Sequence, residues 1–304
     1  MSKHFSLADA PDQTGRIAIV TGANTGLGYE TALALAGKGA KVILACRNRD
    51  KAEEAKASIA KSVPSAKLEV RLIDTGSQKS VREFAAAYIR DHERLDLLIN
   101  NAGIMITPYF ATEDNFEGQF AVNFLGHFTL TALLLPLLNK TPKARIVSLY
   151  SLAASWGDIQ FDDIHFKKKY DATKSYSQSK LACLMFAQEL NQRLVAAGHD
   201  TRALAAHPGF SQSDLSRNLA APIRFGLSII GRFIMQSAAA GAMPTLYAAL
   251  GEDLRGGEAI GPAGLKEMKG PATVVQVRAE AQDETQRGRL WSLAEEFCGI
   301  RYPL

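Results

Sequence analysis

A loop with three glycines lies between an apolar run and a helical pattern near the start of the chain, and it limits the folds that the chain can adopt. Residues 16–21 are apolar and β-branched, which is typical of a buried strand. Gly22, Gly26 and Gly28 follow, and residues 29–37 have the pattern of a helix. Glycines at such a turn let the backbone approach a pyrophosphate on the helix N-terminus. This order predicts an α/β fold with a dinucleotide site; the alternative is a tight turn without a ligand.

Strand-like and helix-like segments alternate along the rest of the chain. We predict strands at residues 16–21, 41–45, 67–73, 95–99, 145–149, 202–206 and 258–260, and helices at residues 29–37, 50–61, 77–89, 116–138, 176–194, 244–250 and 284–297. Ser77 is expected to cap its helix. Polar residues or glycines follow the strands, and ligands bind at that edge of open α/β sheets.

The composition excludes several classes of protein. The chain has 304 residues, 47% hydrophobic and 22% charged, which is ordinary for a soluble globular protein. Its formal net charge is +4, and basic residues are interleaved with acidic ones, so no nucleic-acid patch is predicted. Cys46, Cys183 and Cys298 are far apart and form neither a disulfide framework nor a metal motif. This fits a reducing compartment, and we expect a cytoplasmic protein. Residues 1–15 are polar and do not form a signal peptide.

The end of the second strand bears on the choice of cofactor. Sites for NAD place an acid there to hold the ribose 2′-hydroxyl, whereas an arginine accommodates a 2′-phosphate. Here Arg47 follows the strand and the first acid is Asp50, so NADP(H) is favoured over NAD. The alternative is that Arg47 only begins a charged helix. After the third strand, Asp74 and Thr75 offer a carboxylate that could accept from an adenine amino group.

Three further positions have both a structural and a functional interpretation. Small residues at 100–103 would let a strand end pass close to a cofactor ribose, although a polar turn explains them equally well. Asn123 lies among apolar residues of a long helix and needs hydrogen-bond partners, either as a functional group or as a core amide. His207 has no second His or Cys at metal spacing, so we interpret it as structural.

Tyr176 and Lys180 are four residues apart and would lie on one face of a helix. An ammonium group near a phenol favours the phenolate, so we expect Lys180 to lower the pKa of Tyr176 toward neutrality. Such a tyrosine can donate or accept a proton at a carbonyl or carbinol oxygen. A second pair with this spacing, Tyr170 and Lys174, follows three lysines, and we interpret it as a solvated loop.

Residues 215–243 are apolar, weakly periodic and broken by glycine and proline. Pro222, Arg224 and Arg232 interrupt the stretch, so no membrane-spanning helix is expected. We predict short helices of a lid, around residues 210–243, over a pocket for a lipophilic substrate. The alternative is a patch that contacts a membrane surface, with the two arginines facing lipid headgroups.

Taken together, these motifs resemble a known family. They are Thr-Gly-x-x-x-Gly-x-Gly at residues 21–28, Asn-Asn-Ala-Gly at 100–103, the helical Asn123, a strand-end Ser151, Tyr-x-x-x-Lys at 176–180 and Pro-Gly at 208–209. Their order, from about residue 15 onward, is similar to that of the short-chain dehydrogenases/reductases. Residues 45–48, 123–128, 161–163 and 176–182 resemble the branch of retinol-dehydrogenase-like and protochlorophyllide-reductase-like members.

The resemblance implies a fold and a set of roles. The fold is a Rossmann-type doubly wound parallel sheet of about seven strands, in the order 3-2-1-4-5-6-7 with helices on both faces, forming one domain over residues 1–304. Tyr176 would be the acid/base, and Lys180 would lower its pKa and hold the nicotinamide ribose. Ser151 would bind the substrate oxygen, and Asn123 would anchor a water relay to Lys180. The implied cofactor contacts are Gly22, Asn24, Thr25, Gly26, Leu27, Gly28, Arg47, Asp74, Thr75, Asn101, Ala102, Gly103, Tyr176, Lys180, Pro208, Gly209, Phe210, Ser211 and Ser213.

Two positions depart from the family pattern. Tyr150 stands where the family usually has a first serine, and we expect this bulky side chain to narrow or re-aim the pocket. Phe210 follows Pro-Gly where the protochlorophyllide branch has a cysteine, which argues against a light-driven reaction. We also see no N-terminal anchor of the kind found in membrane-bound retinol dehydrogenases.

The resemblance implies an NADP(H)-dependent carbonyl reductase or alcohol dehydrogenase that acts on a lipophilic small molecule. A nucleotide-sensing protein on the same scaffold is one alternative, although it would not need Ser151, Tyr176 and Lys180 together. Epimerisation or dehydration on the same fold is another. The oligomeric state is left open, since two apolar helices could pair across a two-fold axis.

Overall fold

A single open sheet organises the chain in the computed structural model, which describes residues 4–211 and 236–304. Its strands are β1 (Ile17–Thr21), β2 (Lys41–Cys46), β3 (Lys67–Leu72), β4 (Leu97–Asn100), β5 (Arg145–Leu149), β6 (Arg202–Ala206), β7 (Ala259–Pro262) and β8 (Ala272–Val275). They lie in the order 3-2-1-4-5-6-7-8. The first seven run parallel, and β8 pairs antiparallel with β7. The predicted Rossmann-type fold and strand order are confirmed.

Strand β8 is an eighth strand, whereas the sequence predicted a sheet of about seven. It is only four residues long, and Val274 at its centre is exposed. Its partner register, which joins Val274 to Ile260, is set by the chain reversal between the two strands. A short, half-exposed edge strand has little hydrophobic pattern of its own, so the sequence did not predict it.

Seven α-helical segments cover the sheet in the described ranges. They are α1 (Gly26–Gly37), α2 (Arg49–Ser62), α3 (Gln78–Asp91), α4 (Gly118–Lys140), α5 (Ala172–Ala196), α6 (Ala238–Leu250) and α7 (Glu284–Cys298). Helices α3, α4, α5 and α7 contribute to the core on one face of the sheet, and α1, α2 and α6 to the core on the other. Ser77 caps α3 as predicted, because its hydroxyl accepts from the backbone N–H of Ser80.

Helix α4 contains a π-helical turn at Ala121–Leu125 and lies close to the segment that follows β3. Gly126 follows that turn, and a Cβ there would lie 2.0 Å from the carbonyl oxygen of Thr75. Only glycine therefore allows the helix to approach the end of β3 so closely. The helix is long and apolar enough to cross a membrane, but 83% of its most apolar window is buried inside the protein, which identifies a core helix.

The predicted lid falls mostly outside the described residues. Residues 212–235 belong to that stretch, and they include Ser213 and the interrupting residues Pro222, Arg224 and Arg232. The chain is described again from Gln236, whose backbone N–H donates to the carbonyl of Phe210. Helix α6 then begins at Ala238, within the last part of the predicted lid.

Candidate active site

The glycine turn between β1 and α1 has the geometry that the sequence predicted. Gly22 and Gly26 adopt positive φ angles of +67° and +56°, a region that disfavours side chains. A Cβ on Gly28 would lie 2.3 Å from the carbonyl oxygen of Gly22 and 2.5 Å from Nδ2 of Asn101. A Cβ on Gly26 would meet nothing within 4 Å. The turn is therefore tightly packed on its inner side and open on its outer side.

The N-terminus of α1 lies at this turn and can receive an anion. Thr25 is the N-cap residue, and its side chain makes no capping hydrogen bond. The first backbone N–H groups of a helix lack partners within the helix and carry partial positive charge. A phosphate held on these groups would satisfy them without any charged side chain.

A cavity of about 350 Å³ lies against the turn. Its walls come from the glycine turn, from the ends of β2, β3 and β4, and from α4. The lining residues are Gly22, Asn24, Thr25, Gly26, Leu27, Gly28, Ala45, Cys46, Arg47, Ile73, Asp74, Thr75, Asn101, Ala102, Gly103, Ile104, Met105 and Val122. The structure thus brings together twelve of the predicted cofactor contacts, from Gly22 to Gly103 along the chain.

Arg47 lies at the rim of this cavity, directly after β2. Its side chain is 75% exposed, and its Nη1 is 3.9 Å from Oδ2 of Asp74. An exposed ion pair at that distance is weak, so the guanidinium is available to a ligand. Asp74 is held by its other oxygen, Oδ1, which accepts from the backbone N–H of Gly76.

The loop after β4 is anchored to the glycine turn. The backbone N–H groups of Asn101 and Ala102 both donate to Oγ1 of Thr21, each over 2.9 Å. The side-chain amide of Asn101 donates to the carbonyl of Thr21 over 2.6 Å. Thr21 is fully buried, so these bonds are shielded from water. The Asn-Asn-Ala-Gly segment is therefore a structured wall of the cavity and more than a polar turn.

Asn123, in the π turn of α4, clamps the next residue of this wall. Its Oδ1 accepts from the backbone N–H of Ile104 over 2.8 Å, and its Nδ2 donates to the carbonyl of Ile104 over 3.0 Å. The same Nδ2 donates to Oγ of Ser179 on helix α5 over 2.9 Å. The buried amide that the sequence singled out is thus satisfied, and it joins the wall to the helix that carries Tyr176.

Tyr176 and Lys180 lie on the buried face of α5. The hydroxyl of Tyr176 is hydrogen-bonded to Ser151 at the end of β5. The ammonium of Lys180 donates to the carbonyl of Leu149 over 3.1 Å. The last residue of β5 therefore positions Lys180 through its backbone, and Ser151, two residues later, contacts Tyr176 through its side chain.

Gly103 connects this group of side chains to the cavity. A Cβ on Gly103 would lie 3.1 Å from Oδ1 of Asn123 and 3.4 Å from Nζ of Lys180. Gly103 is itself a lining residue. The ammonium of Lys180 thus lies directly behind the cavity wall. Ser151, Tyr176 and Lys180 are not among the residues that line this cavity, so their convergence on a common cleft stays a prediction.

The predicted direction of the Tyr176 pKa shift is wrong. Burial raises the pKa of Tyr176 to about 12, and the hydrogen bond from Ser151 lowers it only in part. Burial also lowers the pKa of Lys180. Loss of hydration disfavours both charged forms, and the Lys180 ammonium is directed at a carbonyl oxygen. Burial therefore favours the neutral phenol of Tyr176.

Comparisons with known proteins identify the family. The sequence model described as short chain dehydrogenase matches residues 16–223. Human retinol dehydrogenase 13 is 42% identical over 294 residues, which cover 95% of this chain and 86% of the human protein. Mouse retinol dehydrogenase 12 is 38% identical over 291 residues, which cover 95% of this chain and 88% of the mouse protein. The chain belongs to the short-chain dehydrogenase family.

Solved structures of other proteins agree with this assignment. A crystal structure of an uncharacterized protein from Mycobacterium paratuberculosis is 39% identical, with a TM-score of 0.83, and covers 99% of this chain and 100% of that one. The Pseudomonas aeruginosa RhlG/NADP complex is 23% identical, with a TM-score of 0.64, and covers 81% of this chain and 94% of that one, which is a likeness of fold. This short-chain dehydrogenase is therefore an oxidoreductase of alcohols or carbonyl compounds, similar to the retinol dehydrogenases.

The Pro-Gly segment of this short-chain dehydrogenase is not among the residues that line the cavity described above. Gly209 has a φ of +63°, and a Cβ there would lie 2.4 Å from the carbonyl oxygen of Met268. The backbone N–H of Phe210 donates to that same oxygen. The carbonyl of Pro208 accepts from the side chain of Gln236. Ser211 pairs with the same Gln236 in an isolated β-bridge. The predicted contact Ser213 lies outside the described residues.

Tyr150 packs into the core. It is 2% exposed, and its ring meets that of His207 edge-on, with 4.9 Å between centroids. Nε2 of His207 is 2.9 Å from Glu267, and the backbone N–H of Gly209 donates to Nδ1. His207 is therefore a fully bonded core residue, as predicted. Tyr150 packs against this histidine, and its effect in narrowing or re-aiming the substrate pocket stays a prediction.

The second Tyr-x-x-x-Lys pair is not a solvated loop, contrary to the prediction. The hydroxyl of Tyr170 donates to the carbonyl of Thr107 over 2.8 Å and accepts from Nε2 of Gln119 over 2.9 Å. The next residue, Asp171, caps α5, so the helix begins before Tyr176. Tyr170 thus anchors the start of the helix through hydrogen bonds to residues that are distant in sequence.

Sequence reasoning overlooked two residues that hold this site. His127 contacts both Thr21 and the carbonyl of Asn123, and Ser179 joins Asn123 to α5. Both are polar residues within apolar helical patterns. A second polar residue one turn after Asn123 was the available signal for His127.

Proposed function

We propose that this short-chain dehydrogenase is an NADPH-dependent reductase of lipophilic aldehydes or ketones. The observation that carries the proposal is the burial of Tyr176, whose hydroxyl is hydrogen-bonded to Ser151, on the helix that also carries Lys180. A buried tyrosine with a pKa of about 12 holds its proton at physiological pH and is suited to donate it to a carbonyl oxygen. The reverse reaction would require the phenolate.

The residues around the cavity fit an NADP cofactor. The glycine turn and the α1 N-terminus would hold the pyrophosphate, and Arg47 would bind the 2′-phosphate through two donors. An acidic residue at the end of β2 would repel that phosphate, and this chain has Cys46 and Arg47 there. When bound, NADPH supplies a hydride from its nicotinamide ring.

The protein's own groups would handle the substrate oxygen. Ser151 and Tyr176 are hydrogen-bonded to each other, so both hydroxyls can face one carbonyl oxygen. Ser151 would donate a hydrogen bond to it, and Tyr176 would transfer its proton as the carbon receives the hydride. Lys180, on the same face of α5, would then stabilise the phenolate that remains.

The substrate class rests on the relatives and on composition. Relatives of this chain include retinol dehydrogenases, whose names refer to a lipophilic alcohol. The apolar stretch predicted as a lid would suit a substrate of that kind. We propose a carbonyl compound with a long apolar chain or ring system, reduced to the corresponding alcohol.

An absorbance assay with NADPH and a panel of lipophilic aldehydes and ketones tests the proposal. Tyr176→Phe should bind NADPH with unchanged affinity and lose nearly all turnover, because the proton donor is absent. Tyr170→Phe is the matched control, since it removes the hydroxyl of the other Tyr-x-x-x-Lys pair, and it should keep turnover. Equal turnover by Tyr176→Phe and the wild type would refute the assignment. NADPH binding without turnover on any carbonyl would favour a nucleotide sensor.

We also propose a cytoplasmic location. Cys46, Cys183 and Cys298 are all buried free thiols, which suits a reducing compartment. Fractionation of expressing cells, with immunodetection, would check this. Recovery in a washed membrane fraction would contradict it and would favour the alternative of a membrane-contact patch.

A further inference from the structure

The buried histidine His127 connects two parts of the active site that are far apart in sequence. It lies in α4, one turn after Asn123, and is 3% exposed. Its Nε2 is 2.9 Å from Oγ1 of Thr21, and its Nδ1 is 2.9 Å from the carbonyl oxygen of Asn123. Both ring nitrogens are thus engaged, one by the glycine turn and one by the π turn.

The partners determine which nitrogen carries the proton. A carbonyl oxygen can only accept, so Nδ1 of His127 must be the donor to Asn123. Nε2 is then an acceptor, and the hydroxyl of Thr21 donates to it. That hydroxyl keeps its lone pairs for the N–H groups of Asn101 and Ala102, which donate to it over 2.9 Å. Its other acceptor, the carbonyl of Ile99, is farther away at 3.3 Å.

The loop that forms the cavity wall is consequently held at both ends. At its start, Asn101 and Ala102 bind Thr21, which is oriented by Nε2 of His127. At its end, Ile104 is clamped by the side chain of Asn123, whose carbonyl accepts from Nδ1 of His127. Gly103 lies between the two anchors, next to the ammonium of Lys180. The carbonyl of Asn123 also accepts from the thiol of Cys183, one turn after Lys180, over 3.2 Å.

We propose that His127, as the neutral Nδ1–H tautomer, is a positioning residue for the reaction. It sets the distance between the cofactor wall at residues 101–104 and the Lys180 side of the site. The kinetic test of this inference rests on the proposed reductase function, because it detects misplaced reacting groups through changes in turnover. The structural test, which determines the tautomer of His127, does not depend on turnover.

Nitrogen-15 NMR of the imidazole in the wild-type protein tests the tautomer directly. The Nδ1–H and Nε2–H forms have distinct pairs of nitrogen shifts, and His127→Asn assigns the resonance by its disappearance. We expect a protonated Nδ1 and an unprotonated Nε2 at neutral pH. An Nε2–H tautomer, or an imidazolium, would overturn the proposal, whatever the activity of the protein.

Two amide variants separate the two hydrogen bonds. In His127→Asn the side-chain NH₂ can replace Nδ1 as donor to Asn123, and Thr21 loses its acceptor. In His127→Gln the side-chain oxygen can replace Nε2 as acceptor for Thr21, and the donor to Asn123 is lost. We expect His127→Asn to weaken NADPH binding mainly and His127→Gln to lower kcat mainly, each by about tenfold or more.

His92→Asn is the matched control, because His92 is another buried histidine, stacked on Tyr88 with 4.4 Å between ring centroids. It should lower the melting temperature without changing the NADPH dissociation constant or kcat. If both His127 variants behave as this control does, His127 is only structural and the proposal fails. If the wild type turns over no carbonyl substrate, the reductase function fails, and the tautomer and NADPH binding still decide the role of His127.

Discussion

At the scale of the residue, this site depends on atoms that are absent as much as on those present. Gly28 leaves room for the carbonyl of Gly22 and the amide of Asn101, and Gly126 leaves room for Thr75. Thr21 uses one hydroxyl to serve two backbone donors and one histidine. Small changes at these positions would therefore disturb several contacts together.

Gly28→Ala should damage the cofactor site. The new Cβ would lie 2.3 Å from the carbonyl oxygen of Gly22 and 2.5 Å from Nδ2 of Asn101. Either the glycine turn or the loop after β4 must therefore shift. Overpacking of this kind costs about 1–3 kcal/mol, and we expect NADPH binding to weaken by at least about tenfold. Urea unfolding and NADPH fluorescence titration measure the two effects.

Gly288→Ala is the control for that substitution. A Cβ on Gly288 would meet nothing within 4 Å, and the residue lies within α7. Alanine is favoured over glycine in a helix, so stability should rise by up to about 1 kcal/mol with unchanged NADPH affinity. Equal losses in the two variants would show that the turn has no special packing.

Arg47→Ser should lower the preference for NADPH over NADH. A hydrogen bond to a charged group contributes about 1.5–3 kcal/mol, so the ratio of the two dissociation constants should fall by about tenfold to a hundredfold. NADH affinity should change little. Arg90→Ser, which removes an exposed arginine from α3, should alter neither affinity. An unchanged ratio in Arg47→Ser would contradict the proposed phosphate contact.

At the scale of the element, helices α4 and α5 act as a unit with α7. Aromatic rings from all three pack together, with Phe128, Phe186 and Trp291 in mutual contact and Tyr302 beside them. The hydroxyl of Tyr302 donates to the carbonyl of Phe128. The C-terminal helix thus fixes the outer side of the two helices whose inner sides carry Asn123, His127, Tyr176 and Lys180.

An ion pair also joins α7 to α5. Arg287 is 8% exposed, and its Nε is 3.2 Å from Oε2 of Glu189, which Arg193 also contacts. Arg287→Met would leave a buried carboxylate with one partner fewer, and we expect a loss of about 3 kcal/mol. Arg193→Met removes the more exposed partner of the same carboxylate and its contact with the Trp291 ring, so about 1 kcal/mol is expected. Urea midpoints that fall equally would contradict this ranking.

At the scale of the whole molecule, the two edges of the parallel sheet have different chemistry. The carboxyl edge carries the glycine turn, Arg47 and Ser151, the proposed contact of the substrate oxygen. The amino edge carries Arg145 and Arg202, which donate to carbonyls of Ala248 and Leu254 near the end of α6. Burial, and repulsion by Arg202 and Arg16, lower the pKa of Arg145 to about 10. Cations at this edge stabilise a helix C-terminus, whereas the opposite edge is left for ligands.

Buried histidines should make the protein sensitive to acid. Burial lowers the pKa of His127 to about 4, and it lowers those of His92, His165 and His207 as well. As the pH falls below about 6.5, histidines of the unfolded chain bind protons, whereas the buried histidines of the folded chain do not. The contribution of these histidines to the free energy of unfolding is therefore fully present above that pH and is lost as the pH falls toward 4. His127 alone accounts for about 3 kcal/mol over this interval.

Urea unfolding at pH values between 7.5 and 4.5 would measure this loss. His127→Gln removes the titrating group, so its stability should depend less steeply on pH than that of the wild type. His4→Asn, at an exposed histidine, should leave the slope unchanged. A wild-type midpoint that is constant over this range would contradict the expectation.

The sequence by itself determined the order of the motifs and, through them, the fold. The glycine turn, the Tyr176–Lys180 spacing and the period of each helix are local patterns, so they can be recognised without knowing which segments meet. The parallel strand order followed from the resemblance that these motifs carry. The start of α3 agreed with the prediction because its cap, Ser77, acts on its own neighbours. Helices α5 and α6 begin at Ala172 and Ala238, earlier than the predicted positions 176 and 244, because their first turns lack a clear apolar period.

Only the tertiary structure decided what each side chain meets. Thr21 and His127 are separated by 106 positions, Tyr170 and Thr107 by 63, and their bonds require the sheet to be assembled. The pKa of Tyr176 rises because folding removes water from its hydroxyl, an effect that exceeds the attraction expected from spacing alone. Strand β8 likewise depends on a partner, β7, that supplies its hydrogen bonds. Local patterns specify elements, whereas burial and long-range contacts set the chemistry of the residues on them.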